Sequence, residues 1–224
     1  MASFKMNIAR VKGCPVPRRV GELMKQFGLP PTEEYGVLNY QATDSTVFGT
    51  IIRKTQQTIQ RLNAETNELT SDAVERVTVY PFGIKPDMEQ LEVYAGSAAA
   101  IEQVGAFLAS CLALPVVVEG IEIEVADALE KLARHTKNLQ LRSIRVSEYA
   151  HNSYMIGPYT PKFLDSEHGK EFLEQYADFI TTASVRFAGP KGKVTASLST
   201  KACFGFACHE DDLSVVKSIL RKLV

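Results

Sequence analysis

A chain of 224 residues, 45% hydrophobic and 23% charged, can bury one large core or two smaller ones. With 25 Lys+Arg against 26 Asp+Glu the net charge is −1, so contact with nucleic acid or anionic lipid would need a local basic face. No apolar run reaches the roughly 18 residues of a transmembrane helix, the N-terminus lacks a leader's apolar stretch, and four scattered cysteines make no secreted disulfide framework; the expected setting is cytoplasmic and off the membrane.

In chain order, "FKMNIARV" alternates as a strand does. In "VPRRVGELMKQFG", Val20, Leu23, Met24 and Phe27 follow helical spacing, and Gly28 supplies a stop. "GVLNYQAT" and "TVFGTIIRKT" read as strands separated by Asp44-Ser45, after Pro30-Pro31. "QQTIQRLNAETNELTSD" fits strand extension, helix or loop. "AVERVTVYPF" and "QLEVYAGS" form a hairpin around "GIKPDME", and a helix follows from Ser97.

The second half opens with the strand "LPVVVEGIEIEV", the helix "ADALEKLARHT" and the strand "LQLRSIRVSEY". "AHNSYMIGPYTPKFL" reads as an irregular excursion, because Gly157-Pro158 and Pro161 oppose regular structure. The helix "SEHGKEFLEQYADF" follows, with Asp165 or Ser166 as N-cap. Strands "ITTASVRFAG", "KVTASLST" and "ACFGFAC" precede a final helix from His209.

The two closing helices match at one offset. Ile101, Val104, Phe107, Leu108 and Cys111 correspond to Leu213, Val216, Ile219, Leu220 and Leu223. Shared 3.6-residue geometry could impose this on any two half-buried helices, but the order of elements agrees as well. The expected fold is α+β, with antiparallel sheets, helices packed on one face, and a duplicated strand-helix-strands-helix unit. The halves are 1–114 and 115–224, the second carrying an inserted loop and helix at 150–179.

Glycine loops for nucleotides and the hydrolase and zinc-protease signatures are missing. "GPKGK" at 189–193 fits a hairpin turn between alternating strands better than a phosphate cradle. Cys203, Cys208 and His209 lack the second ligand pair of a structural zinc site, and the two cysteines should face opposite sides of a strand. No metal and no cofactor is expected.

Two stretches carry candidate chemistry. Residues 147–168 hold His151 and His168, three tyrosines and Lys162; the histidines could act as general base and acid, although no activated nucleophile accompanies them. The other candidate is basic: Arg53, Lys54 and Arg61 in the first half, then Arg142 and Arg145 beside Arg134, His135 and Lys137, then Lys191 and Lys193 beside Arg186. Lys and Arg neutralise phosphates, and Tyr40, Tyr80 and Tyr94 could stack bases. Against this, polar side chains cover the wet face of any sheet, and Glu33, Glu34, Glu119, Glu122, Asp211 and Asp212 interrupt the basic pattern.

The order "LEVYAGS", helix, "LALPVV" resembles the end of a repeat in the ring-forming, recombination-associated DNA-binding family, over about a tenth of the chain. Tandem strand-helix-strand halves also resemble CRISPR RNA-handling proteins, whose C-terminal glycine-rich loop has no counterpart here. Neither resemblance assigns a functional residue.

The expectation is a non-catalytic binding or assembly protein contacting DNA or RNA through Arg53, Lys54, Arg61, Arg142, Arg145, Lys191 and Lys193. The loop at 150–165 would add a more specific contact, within a homo-oligomer or larger complex. A protein-interaction subunit and an enzyme centred on His151 and His168 are the alternatives.

Overall fold

The computed structural model describes residues 2–28, 34–64, 67–152 and 154–224, without the side chain of Ser166. Pro30, Pro31 and Glu33, named above, lie outside the described residues. The first elements are β1 (Ala2–Lys12), α1 (Pro17–Met24), β2 (Tyr35–Ala42), β3 (Val47–Asn63), β4 (Glu68–Lys85), β5 (Gln90–Val93) and α2 (Ala99–Ala106). Then come β6 (Val117–Gly120), α3 (Val125–His135), β7 (Lys137–Asn152), β8 (Met155–Tyr159) and α4 (Ser166–Gln175). The chain closes with β9 (Ile180–Ala188), β10 (Lys193–Ser199), β11 (Cys203–Cys208) and α5 (Leu213–Arg221). Antiparallel pairing and separate helices make the class α+β.

Two compact units form. The first comprises Met1–Ala9, Tyr94–Ala98 and Glu119–Val224; the second comprises Arg10–Val93 and Ala99–Val118.

In the first unit the strands run in the order β1-β11-β10-β9-β7-β8. Strict alternation drives the architecture. Phe4, Met6 and Ile8, then Phe204, Phe206 and Cys208, then Val194, Ala196 and Leu198, then Ala183, Val185 and Phe187 point into one apolar cluster. Helix α3 seals it with Val125, Ala128, Leu129 and Leu132, and α5 with Val216, Leu220 and Leu223. Helix α4 packs on β7, its Gly169 lying close enough to Leu141 and Phe163 that an added Cβ would meet them at 3.2 and 3.4 Å. Asp165 caps α4, accepting from the backbone N–H groups of Glu167 and His168 at 3.0 Å each.

Two expectations for this unit change. The strand expected through "LPVVVEGIEIEV" is confined to Val117–Gly120; Ile121 and Ile123 pack on the core outside regular pairing, with Ile123 N–H bonded to the Thr200 carbonyl. The expected irregular excursion is largely a hairpin. β7 continues to Asn152, and β8 includes Gly157 and Pro158. Proline is tolerated because β8 is an edge strand, where the missing N–H can face away from the ladder.

In the second unit β2-β3-β4-β5 form a meander over a core that includes Met24, Ile51, Phe82, Ile84, Leu91, Phe107 and Leu108. Helix α1 packs on β2 and β3, and Gly21 permits the approach: a Cβ there would stand 2.9 Å from that of Ala42. The helix from Ala99 is α-helical to Ala106 and then widens into a π turn over Phe107–Cys111.

The ambiguous stretch after Thr55 resolves as strand. From Lys54↔Val77 to Asn63↔Glu68, β3 and β4 form ten consecutive pairs. β2 reaches only Arg53, and β5 reaches β4 only at Phe82–Lys85, so among the described residues this outer ribbon pairs with no other strand.

Candidate nucleic-acid interface

The cations expected on β3 are engaged locally. Arg53 is bound by the carboxylate of Glu34 and the amide oxygen of Gln103. Lys54 pairs with Glu75 at 3.0 Å, and Arg61 with Asp72 at 3.6 Å, both across the ribbon. Arg134 likewise meets Glu130 one helical turn away, at 3.4 Å.

The second-half cations stand differently, because strand register gathers them on the face of the first unit's sheet opposite the helices. Lys193, Ala188 and Lys137 align across β10, β9 and β7. The next row is Ser3, Ala207, Thr195, Arg186 and Gln140. Beyond it lie Lys5, Gly205, Ser197, Ser184 and Ser143, with Lys162 bridged to Ser143 at the border. Ser199, Thr182 and Arg145 complete the face.

Lys5, Lys137, Arg145, Arg186 and Lys193 thus share one face, and none of the positions named holds Asp or Glu. Among the described residues none of the five has an ion-pair partner. The first carboxylate past Arg145 on β7 is Glu148. Rows repeat about every 7 Å along a strand and neighbouring strands lie about 4.8 Å apart, so Lys193 and Arg186 stand roughly 8 Å apart at their backbones. Arg142 is the extra residue where the β7 register shifts between Leu141 and Ser143, and it is exposed.

Small side chains pave the ground between the cations. An added Cβ on Gly205 would lie 2.6 Å from the Ser197 hydroxyl. Cys203 shares this side of β11; burial pushes its thiol pKa up, and nearby Lys5 opposes the shift. Cys208, on the opposite side, is buried in the core.

The turn carrying Lys191 and Lys193 is anchored from below. The buried Asp212 carboxylate accepts the Lys191 backbone N–H at 3.0 and 3.1 Å. Lys191 is therefore placed through its backbone, and Lys193 enters β10 at a fixed position.

The two histidines have separate surroundings. His168 Nδ1 lies 2.9 Å from the Asp165 carboxylate in the first turn of α4; that contact raises the histidine's pKa, and bonds from the His168 backbone and ring lower that of Asp165. His151 meets Tyr149 and Tyr159 edge-on in an aromatic cluster completed by Phe172 and Tyr176. Of the tyrosines considered for stacking, Tyr94 lies under Lys217, 4.1 Å from its ring centre, and accepts from Arg221 at 3.4 Å. Tyr40 and Tyr80 belong to the second unit.

Lys5 was invisible to composition-based reading. The alternation of "FKMNIARV" was the available signal, since Phe4, Met6 and Ile8 inside put Lys5 outside. The chain matches no protein-family model and no curated protein.

Proposed function

We propose that this chain is a non-catalytic nucleic-acid-binding protein whose contact surface is the open sheet face of the first unit. The observation that supports this most is the grouping of Lys5, Lys137, Arg145, Arg186 and Lys193, without carboxylates, on a helix-free face. Net charge near zero is compatible with it, because the cations outside this face that carry ion pairs are neutralised locally. The binding role of Arg145 and Lys193 belongs to this reading, with Arg142 and Lys191 at its margin. Arg53, Lys54 and Arg61 have less to offer, each being held by a carboxylate.

The proposal extends to a duplicated origin. Each half runs strand, helix, four-stranded meander, helix, with β8 and α4 inserted in the second. A cytoplasmic setting completes it.

Fluorescence anisotropy tests the reading at about 50 mM salt, where phosphate neutralisation is strong. Replacing Arg145, Arg186 and Lys193 together with alanine should weaken binding more than tenfold. Replacing Lys54 and Arg61 should change it less than threefold. Absence of binding by the intact chain sinks the proposal.

A second reading, a subunit of a homo-oligomer or larger complex, is favoured by edge strand β8. Tyr154 (95% exposed), beside β8, and Ile156 (72%), within it, lie at a border whose backbone can accept another strand. Light scattering that finds a monomer, unchanged by Ile156→Lys, counts against self-association there.

A further inference from the structure

We infer that the nucleic acid taken by this face is a duplex, held through its phosphate backbones without reading of bases; the inference rests on the nucleic-acid reading just proposed.

The first argument is what lies between the cations. The central positions hold Thr195, Ser197, Thr182, Ser184, Ser143, Gly205, Ala207 and Ala188, and none is aromatic. Sequence-neutral binding of single strands depends on aromatic faces under successive bases. The sheet spends its rings elsewhere: Phe4, Phe187, Phe204 and Phe206 point into the core, and Tyr149 and Tyr159 pack in the edge cluster. A single strand laid here would meet hydroxyls and positive charge, but nothing to stack on.

The second argument is reach. Hydroxyls of Ser and Thr stand too close to the sheet to touch base edges in a major groove about 8.5 Å deep. They suit phosphate oxygens and sugars, as Lys and Arg do. Backbone contact positions a duplex and carries no direct sequence information.

The third is spacing. Lys137 and Arg145 lie three rows apart on β7, roughly 20 Å, while Arg186 stands one row in from Lys137 on β9 and Lys193 shares the Lys137 row two strands away on β10. Cations this dispersed do not follow the consecutive phosphates of one strand. A duplex offers a charge about every 1.7 Å of its axis, so widely separated cations each still meet a phosphate.

The test is anisotropy competition with the full chain at about 50 mM salt. The probes are a 20-base-pair DNA duplex, the RNA duplex of the same sequence, the unstructured single strand of each, and a second DNA duplex of inverted base composition. Each duplex should bind at least tenfold more tightly than its single strand, and the two DNA sequences within twofold of each other. A single strand bound as tightly as its duplex, or a tenfold preference between the DNA sequences, overturns this inference. If the Arg145/Arg186/Lys193 variant still weakens binding more than tenfold in that event, the nucleic-acid reading survives. No binding to any probe, or binding indifferent to that variant, removes both.

Discussion

Placing one carboxylate in the middle of the open face is a sharp probe of its electrostatics. Ser184 lies on β9 between Ser197 and Ser143, two residues from Arg186 on the same side. The backbone separation is about 7 Å, inside the screening length of about 8–10 Å at moderate salt. Ser184→Glu therefore adds a negative charge and occupies Arg186 as well. If the five cations each neutralise one phosphate, log K should fall with log salt at a slope near −4.5, a roughly 500-fold loss between 50 and 200 mM. The glutamate reduces the effective count from about five to about three, giving a slope near −2.7 and a roughly 40-fold loss over the same range. Ser184→Gln has similar size without charge and should keep the original slope. Anisotropy titrations across that range, with circular dichroism confirming folding, make the measurement. A glutamate variant indistinguishable from the glutamine variant refutes the reasoning.

Other expectations follow from single features. Because among the described residues the ribbon beyond Lys54↔Val77 pairs with no other strand, replacing residues 55–76 by Asn-Gly should leave the melting temperature within a few degrees. Asp212→Ala removes the acceptor for the Lys191 N–H and should cost about 2 kcal/mol, a melting shift of roughly 4–8 °C, with weaker nucleic-acid binding as the turn loosens. Folding raises the His168 pKa and lowers that of Asp165. Their contribution should hold from about pH 4 to about pH 6.5 and fade as pH rises through the raised histidine value or falls through the lowered carboxylate value. NMR titration should find His168 above the ordinary histidine pKa, and Asp165→Asn should return it. Burial pushes the Cys14 thiol up to about 11, so iodoacetamide at pH 7.5 should leave it unmodified until the chain is denatured.

Much of the fold was legible because periodicity reports burial directly. In "KVTASLS" and "CFGFAC" every second residue is apolar, and those are the residues that contact α3 and α5. Legibility failed where pairing partners decide the outcome. Glu75 and Asp72 are distant in sequence from Lys54 and Arg61, so only the β3–β4 register reveals that the ribbon's cations are matched. Gly157 and Pro158 signalled irregularity, yet an edge strand tolerates both. The open face combines residues from β1 to β11, a juxtaposition that no local window contains.

Photo-cross-linking of a duplex carrying azidophenacyl groups on backbone phosphorothioates to the intact chain, followed by peptide mapping, tests the central claim most directly. Cross-links concentrated in the peptides of β1, β7, β9 and β10, which carry Lys5, Lys137, Arg145, Arg186 and Lys193, are the predicted result. Cross-links confined to residues 54–77, or spread evenly over the surface, would contradict it.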